Sequence, residues 1–517
     1  MAQAPADFKI PPHRTLITIC TMLATLMQAL DSTIANVALP HMQGSLDATA
    51  DQITWVLTSY IVAAAIMTSP VGWLSARFGR KNFFIVCLAG FTIASMLCGI
   101  AQSLNEMVAF RLLQGMFGAA LVPLSQAIML DLYPAEQRGS AMAMWGMGVM
   151  VGPILGPTLG GYLTDVYDWR YVFFINLPFG ILAIAGLVLF LKDTVRAPQI
   201  QFDFLGFGVL SMGLGALQLM LDRGQQKDWF SSPEIVIETV LAVLGFYLFV
   251  VHIVLAKKPL IAPGMFKDVN YSSSILVMFA IGVVLLASSA LLAPYLQTLG
   301  GYPVREAGLL MAPRGLGTMA AMMIAGRLTN RVDSRLLMLF GIIALSYSLW
   351  EMTGWTPAIG PYELTMVSIV QGFGMGFVFI PLQVIAFATL PVHYRTDGTA
   401  LFSLVRNVGS AIGVSVSSFL LARNTQILHA GIASTLTPFN RMMQSGAAYL
   451  LWNDATSLGR AALNAQVTQQ ALSIAYVDDF KFMFWVSLPS ALLLLLMRGR
   501  RKGAVEAPDE PAHAAFD

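Results

Sequence analysis

The sequence predicts an all-α polytopic membrane protein, and three observations support this prediction. Of the 517 residues, 56% are hydrophobic and only 11% are charged, whereas about a quarter of the residues in soluble chains are charged. Apolar runs recur from one end of the chain to the other, and many reach the roughly 20 residues that a helix needs to cross a bilayer. The first run is too long for a signal-peptide core, so we expect it to be a retained helix.

Fourteen apolar runs are long enough to be membrane-spanning helices. Their approximate bounds are 15–39, 53–74, 82–101, 107–130, 140–163, 170–191, 203–221, 234–256, 271–296, 307–326, 335–353, 363–389, 398–421 and 481–497. Because the number is even, we expect both termini to lie on the same side of the membrane.

The basic residues predict which side that is. The N-terminal tail, the even-numbered loops and the C-terminal tail hold 19 of the 30 Lys and Arg. The opposite loops and helix starts hold 8, and Arg111, Arg314 and Arg406 lie within spans. Loops rich in Lys and Arg stay in the cytoplasm. Both termini are therefore expected in the cytoplasm.

An internal repeat relates the two ends of the chain. The segment "GWLSARFGRK" (72–81) follows the second span, and "GRLTNRVDSR" (326–335) follows the tenth, with Gly72, Leu74 and Arg77 recurring 254 residues later. The fourth and twelfth spans share a Gln-Gly opening, in "LQGMFGAALVPLSQ" and "VQGFGMGFVFIPLQ". Duplicated halves related by an axis along the membrane normal are a layout common among transporters.

The repeat predicts the domain organisation. We expect a six-helix bundle in 1–199, two inserted helices in 200–258 and a second six-helix bundle in 259–517. The segment 422–480 is expected to be one long outer loop. Its stretch "ALNAQVTQQALSIAYV" has apolar residues at helical spacing, so it either packs on the outer mouth, contacts a partner, or is a solvated insertion.

Asp31 is a carboxylate within the first apolar run, in "LDSTIANVALP". A charge inside the bilayer is costly unless it is paired or faces a cavity. Arg111 enters the membrane from the same side at a similar depth, so we expect the two to pair. Burial and a neighbouring cation act on a carboxylate in opposite directions. The pair is therefore either a proton-loading device or a permanent structural ion pair.

The fifth span contains a glycine-proline series that predicts close helix packing. Its members are Gly148, Gly152, Pro153, Gly156, Pro157, Gly160 and Gly161. Small residues at every fourth position leave one smooth face along which another helix can approach. The prolines are expected to kink the helix.

Two further cations lie within predicted spans of the second half. Arg314 in "MAPRGLG" and Arg406 in "LVRNVG" are expected either to attract an anionic substrate group or to cap a helix C-terminus. The 29 methionines suit a pocket that accepts different shapes, although filler facing the lipid explains many of them equally well.

Taken in order along the chain, these motifs resemble the fourteen-helix drug:proton antiporters of the major facilitator superfamily, of the EmrB/QacA type. The motifs are "LDSTIANVALP", "WVLTSY", "GWLSARFGRK", "RLLQGMFGAA", "GVMVGPILGPTLGG" and "DWRYVFFINLPFG". The chain departs from the superfamily signature at Ala76, where that signature has an acidic residue. The resemblance implies a major facilitator fold with two six-helix bundles plus two inserted helices.

The resemblance also implies roles for particular residues. Asp31 and Arg111 would line the central cavity and couple protons to transport. The glycine-proline series would form a close seam between the halves. The conformational switch loop would comprise Gly72, Arg77, Gly79, Arg80 and Lys81, and the candidate cavity residues are Gln114, Arg314, Gln371 and Arg406.

The resemblance implies a proton-coupled efflux transporter that exports hydrophobic, often cationic compounds by alternating access in a bacterial inner membrane. Some relatives work with a periplasmic adaptor and an outer-membrane channel. Two alternatives stay open: an exporter of one endogenous metabolite, such as a siderophore, lipid-like product or antibiotic, and a non-transporting membrane sensor or scaffold. The sequence contains no phosphate-binding loop, no H-E-x-x-H motif and no soluble catalytic domain. We therefore expect no enzyme activity, cofactor, metal site or nucleic-acid partner.

Overall fold

The computed structural model describes residues 12–134, 136–192, 201–436 and 456–498, and all regular structure in these ranges is helical. The first part of the chain forms the helices α1 (Arg14–Ser45), α2 (Ala50–Ile53), α3 (Trp55–Thr68), α4 (Val71–Phe78), α5 (Arg80–Ile100), α6 (Leu104–Gly118), α7 (Leu121–Leu132), α8 (Arg138–Val166), α9 (Tyr171–Phe174) and α10 (Asn176–Phe190). Long apolar runs with few internal charges explain why these segments are helices, because a helix satisfies its own backbone polar groups in lipid.

The remaining helices begin after the connection that follows α10, and three short 3₁₀ turns lie between them. They are α11 (Phe204–Arg223), α12 (Pro233–Leu255), α13 (Val269–Pro294), α14 (Val304–Leu328), α15 (Ser334–Met352), α16 (Pro361–Ala386), α17 (Arg395–Thr435), α18 (Ser457–Ser487) and α19 (Ser490–Leu493). A π-helical turn, Tyr295–Leu299, continues α13, and the 3₁₀ turns are Trp229–Ser231, Pro263–Lys267 and Val392–Tyr394.

Twelve helical stretches of the described residues are long and apolar enough to cross a membrane, with α6 and α7 counted as one stretch and α9 and α10 as another; the bent pair α3 and α4 makes a thirteenth span. The two helices of this pair meet at 60°, where Pro70 separates them. The fourteenth predicted span, 481–497, coincides with the end of α18 and with α19, and Pro489 interrupts it. The count of fourteen therefore stays a prediction.

The helices pack as two groups with α11 and α12 beside them. In the first group α1 packs against α8 and α10, and α6 packs against α3 and α5. In the second group α16 packs against α14 and α15, and α17 packs against α13 and α18. Helix α11 contacts both α3 and α17. We propose that these groups are the halves 1–199 and 259–517; the junction near residue 200 lies outside the described residues.

The segment 422–480, expected to be a loop, is helical in most of its described residues. Helix α17 continues to Thr435, and α18 begins at Ser457; residues 437–455 lie outside the described ranges. His429 of the first helix and Asn464 of the second share a hydrogen bond of 2.9 Å. The predicted span ends at 421 because the apolar run ends there. A helix can continue beyond its apolar run when it has a neighbouring helix to pack against.

Hydrogen bonds join the two groups toward one end of the bundle, which we call the N-terminal face because α1 begins there. Hydrogen bonds between the groups join Gln126 to Gln383 at 3.0 Å and Thr399 to the Pro123 carbonyl at 3.1 Å. Further toward the N-terminal face, Arg80 donates to Thr396 at 3.1 Å. All the hydrogen bonds we identify between the groups in the described residues lie toward this face. The structure is thus closed at its N-terminal face.

Candidate functional site

The centre of the first group holds an ion pair without solvent contact. Nη1 of Arg111 lies 2.7 Å from Oδ2 of Asp31, and the two side chains are 1% and 0% exposed. Asp31 comes from α1 and Arg111 from α6, two helices that do not follow one another in the chain. The structure therefore brings together the two charges that the sequence predicts to pair.

Gln114 joins this pair into a closed triangle. Its amide nitrogen donates to Oδ1 of Asp31 at 2.8 Å, and its amide oxygen accepts from Nη1 of Arg111 at 2.8 Å. Gln114 lies one helical turn after Arg111, so both side chains project from the same face of α6. Both carboxylate oxygens of Asp31 are thereby hydrogen-bonded, which buried charge requires.

The rest of the Arg111 guanidinium is also enclosed. Its Nε donates to the carbonyl of Val56 at 3.1 Å, and its carbon lies 4.4 Å from the ring centre of Tyr60 and 5.6 Å from that of Phe173. Gln28 donates to the Tyr60 hydroxyl at 3.4 Å. Aromatic faces stabilise a nearby cation by about 2 kcal/mol when it is desolvated. The Val56 carbonyl and the aromatic rings therefore stabilise the Arg111 cation in addition to Asp31.

Sequence reasoning missed Tyr60, although it ends the quoted motif "WVLTSY". Protonation of Asp31 would remove the charge that Arg111 pairs with, while the Val56 carbonyl and the Tyr60 ring would still hold the cation. The arrangement can thus exchange a proton at one carboxylate while the cation stays in place.

The switch-loop residues lie at the junction of the two groups on the N-terminal face. Gly72 in α4 faces the side chain of Asp397 in α17 so closely that a Cβ at position 72 would overlap the carboxylate. Gly79, between α4 and α5, has φ of 86°, a left-handed conformation that other residues rarely adopt. Glycine is therefore required at both positions for different reasons.

A carboxylate of the first group binds one arginine from each group. Asp131, at the end of α7, contacts Arg80 through Oδ2 and lies 2.9 Å from Arg395 through Oδ1. Sequence reasoning missed both Asp131 and Arg395, which are 264 positions apart. The chain has Ala76 where the superfamily signature has an acidic residue, but Asp131 forms a charge bridge between the groups with Arg80 and Arg395. The bridge joins the groups where α7, α5 and α17 meet.

The other two basic residues of the loop contact their own group. The guanidinium of Arg77 lies 5.4 Å from the Trp73 ring centre. Lys81 donates to the Val188 carbonyl at 2.8 Å. These contacts anchor α4 and α5 at the N-terminal face.

The glycine series of α8 packs against α1 and not against the second group, so the expected placement is wrong. A Cβ at Gly152 would overlap the backbone of Ala29, and one at Gly156 would overlap Thr33. Gly148 and Gly160 face Met22 and Ile34 of the same helix α1, and a Cβ at Gly161 would meet only Val37, at 4.0 Å. The side chains of Pro153 and Pro157 lie outside the described residues. The small-residue face of α8 therefore packs within the first group.

Helix α8 meets the second group along a different line. Gly139 packs against Gly326 and Thr329 of α14, and Gly315 of α14 packs against Ile154. Trp145 stacks on Phe379 of α16 with ring centres 6.4 Å apart. The spacing of small residues in the sequence could not distinguish the line of α8 that packs against α1 from the line that packs against the second group, because both lines carry small residues at helical intervals.

No hydrogen bond joins the candidate cavity residues of the second group to one another among the described residues. Arg314 donates to Ser289 and Ser288 at 2.8 and 2.9 Å and to the Leu285 carbonyl at 3.2 Å. Gln371 is fully buried, and neither of its amide atoms has a partner among the described residues. Arg406 contacts only its neighbour Asn407, at 3.4 Å, among the hydrogen bonds we identify.

Comparison with known proteins agrees with this architecture. The model of the Major Facilitator Superfamily matches residues 21–414. The multidrug export protein EmrB of Haemophilus influenzae is 34% identical over 496 residues, which cover 95% of this chain and 96% of the relative. The fatty acid resistance protein FarB of Neisseria gonorrhoeae is 35% identical over 483 residues, covering 92% and 94%.

Solved structures show the same fold. The human organic anion transporter MFSD10 (TETRAN) superposes with a TM-score of 0.57 at 16% sequence identity, covering 92% of this chain and all of the other. The family model and the relatives identify the chain as a membrane transporter. The chain belongs to the Major Facilitator Superfamily and, within it, to the family of the EmrB-type drug:proton antiporters.

Proposed function

We propose that this protein exports hydrophobic, often cationic compounds across a bacterial inner membrane in exchange for protons. The observation that carries the proposal is the buried triangle of Asp31, Arg111 and Gln114, in which one carboxylate is enclosed with a cation and an amide. A scaffold or sensor has no need of a buried charge, whose desolvation is costly. Relatives are named for multidrug export and for fatty acid resistance, which supports export of several compounds and a role in antibiotic resistance.

The transport cycle alternates the two groups around the central cavity. The N-terminal face lies in the cytoplasm, as the excess of Lys and Arg in its loops indicates. The conformation closed at that face is then the one that releases substrate to the outside. A proton that reaches Asp31 from the outside favours release, and its loss toward the cytoplasm restores substrate binding.

The helical extension of α17 and α18 supports a partner role on the opposite face. It continues past the predicted membrane boundary at residue 421 and is held together by His429 and Asn464. A periplasmic adaptor and an outer-membrane channel would complete the export path from this surface. Deletion of the extension should then abolish resistance in cells and leave transport in liposomes intact.

Purified protein in liposomes that contain a pH-sensitive dye tests the proposal. We would impose a proton gradient, add a lipophilic cation, and compare the wild type with Asp31→Asn. The substitution keeps the size of the side chain and can still hydrogen-bond Gln114, but it removes the titrating group. Substrate-dependent proton flux in the wild type and none in the variant is the expected result.

The control is a carboxylate removed elsewhere. Asp333→Asn changes an acidic residue of the loop before α15 that pairs with Arg335, and proton flux should be unchanged. If Asp31→Asn exchanged protons like the wild type, Asp31 would be structural and the proposed coupling wrong. An absence of substrate-dependent flux in the wild type with any lipophilic compound would contradict export itself.

A further inference from the structure

The second group contains a counterpart of the Asp31 site, and backbone contacts identify it. A Cβ at Gly115 of α6 would overlap the carbonyl of Tyr60, and a Cβ at Gly372 of α16 would overlap the carbonyl of Arg314. Arg314 follows Tyr60 by the same 254 residues that separate the repeated segments that begin at 72 and 326. Arg314 therefore occupies in the second group the place of Tyr60 in the first.

The same correspondence places the other members of the site. Gln371 follows Gln114 by the interval that separates the two Gln-Gly openings. Pro40 in α1 and Pro294 in α13 are 254 residues apart, and this interval takes Asp31 to position 285. That position is Leu285, so the second group keeps the amide and has a cation, but it has no carboxylate at the matching place.

The charge balance of the two sites differs as a result. In the first, the cation Arg111 is neutralised by Asp31 at 2.7 Å. In the second, Arg314 has no carboxylate within ion-pair distance among the described residues, and hydroxyls and one carbonyl are its partners. An uncompensated cation in a low-dielectric interior attracts an anion strongly.

The buried amide of Gln371 is a second observation that points to a ligand. Its counterpart Gln114 donates to one carboxylate oxygen of Asp31 while Arg111 donates to the other. Gln371 is fully buried, and both of its amide atoms lack partners among the described residues. Buried amides in native proteins normally have partners, and an exception calls for an explanation. A carboxylate bound beside Arg314 would explain it by giving the Gln371 amide a hydrogen-bond partner.

Arg314 lies beside the line where the two groups meet. It lies ten residues into α14, about 15 Å from the start of that helix and so near the middle of the membrane. The next residue, Gly315, packs against Ile154 of the first group, so Arg314 adjoins the line where the groups meet and move. Ser289, which holds the guanidinium, is partly exposed.

We propose that Arg314 and Gln371, with Ser288 and Ser289, bind the carboxylate of an amphiphilic anionic substrate. The substrate supplies in the second group the carboxylate that Asp31 supplies in the first. Guanidinium and carboxylate form two parallel hydrogen bonds, a geometry that an ammonium group cannot reproduce. The inference rests on the proposed export function and assigns the carboxylate of a hydrophobic monocarboxylate substrate to a site in the second group.

Dodecanoate is the probe, with 1-dodecanol and dodecyltrimethylammonium as neutral and cationic molecules of the same chain length. Binding of dodecanoate would be measured on protein in nanodiscs of pure phosphatidylcholine, and transport of the cation in liposomes of the same lipid. For Arg314→Gln we expect at least about a tenfold loss of dodecanoate affinity, the size of a lost charged hydrogen bond. Affinity for 1-dodecanol, which has no carboxylate, should be unchanged.

Three further variants separate charge, geometry and folding. Arg314→Lys keeps the positive charge but loses the planar guanidinium that donates two parallel hydrogen bonds. Its dodecanoate affinity should therefore lie between those of the wild type and Arg314→Gln. Gln371→Leu should also weaken dodecanoate binding and leave 1-dodecanol unaffected. Arg423→Gln removes an exposed arginine from the same half and should behave as the wild type. Elution profiles from size-exclusion chromatography establish which variants are folded.

Several outcomes would overturn the inference. Unchanged dodecanoate binding in folded Arg314→Gln and Arg314→Lys would do so, and so would an equal loss of affinity for all three probes. If only phosphatidylglycerol, and not dodecanoate, stabilised the wild type in an Arg314-dependent way, the anion would be a lipid headgroup. If the cation is transported in exchange for protons but carboxylate binding does not depend on Arg314, this inference alone is refuted. If transport of the cation is not coupled to protons, the proposed function is refuted.

Discussion

Gln126 of α7 donates a hydrogen bond of 3.0 Å to Gln383 of α16 across the boundary between the two groups. Both are fully buried, and they occupy matching positions of the repeat, separated by the same interval as Gln114 and Gln371. The internal duplication therefore places like residues face to face at the boundary between the halves. The bond lies between the buried triangle and the N-terminal face, so opening that face must break it.

The buried triangle should behave as one unit in unfolding experiments. Arg111→Gln leaves Asp31 without its cation and should cost about 3–5 kcal/mol of unfolding free energy. Asp31→Asn in that background should cost less than it does in the wild type, with a coupling of about 1–3 kcal/mol. Denaturation of the purified protein with SDS measures all four corners of the cycle.

A matched control uses the exposed pair of Asp333 and Arg335. Arg335→Gln should change the unfolding free energy by about 1 kcal/mol or less, because water screens the pair. Additive effects of the Asp31 and Arg111 changes would show that the two side chains do not stabilise one another.

The pairing of Asp31 with Arg111 was predictable from the sequence because the two residues lie at similar depths in the membrane. Asp31 and Arg111 interrupt apolar runs at comparable distances from one membrane surface, and an uncompensated charge there is costly. Gln114 follows from the helical spacing once Arg111 is placed. The spans were predictable for the same reason, since most of the predicted bounds lie within a few residues of the helices in the structure.

Other features depend on which helix faces which, and apolar runs do not encode that. Gly152 and Gly156 pack against α1, whereas Gly139 and Gly315 form the contact between groups, although all belong to similar small-residue patterns. Asp131 and Arg395 are 264 positions apart and lie at helix ends, where charge is ordinary. The extension of α17 to Thr435 has no long apolar run and therefore escaped a membrane-span prediction.

The charge bridge should hold the N-terminal face closed. Asp131→Asn removes the carboxylate that binds Arg80 and Arg395, so the conformation open at that face should become more populated. Spin labels at the exposed positions Phe78 and Val392, one in each group, would report it as a longer and broader distance distribution. An unchanged distribution in the variant would show that the bridge does not control closure.

The close approach of Gly72 to Asp397 should also favour one conformation. Gly72→Ala places a methyl group where the Asp397 carboxylate lies, so it should shift the same pair of labels toward the open distance. Asp397→Ala should restore the closed distance in the double variant. Gly208→Ala is the matched control, because a Cβ there meets nothing within 4 Å, and it should leave the distribution unaltered.

The glycine face of α8 should stabilise the first group. A Cβ at Gly152 overlaps the Ala29 backbone, and Gly152→Ala should therefore cost about 1–3 kcal/mol, as overpacking does. Gly161→Ala in the same helix meets only Val37 at 4.0 Å and should be neutral or stabilising by about 0.5–1 kcal/mol. Equal effects in SDS denaturation would contradict the packing of α8 against α1.

The count of protons released when substrate binds tests the role of Asp31 most directly. A lipophilic cation is added to the purified, weakly buffered protein, and a pH indicator records the protons released per molecule bound. We expect proton release by the wild type at a pH where Asp31 is partly protonated, and none by Asp31→Asn, which should still bind the cation. Equal proton release by both proteins would contradict the claim that Asp31 is the coupling carboxylate.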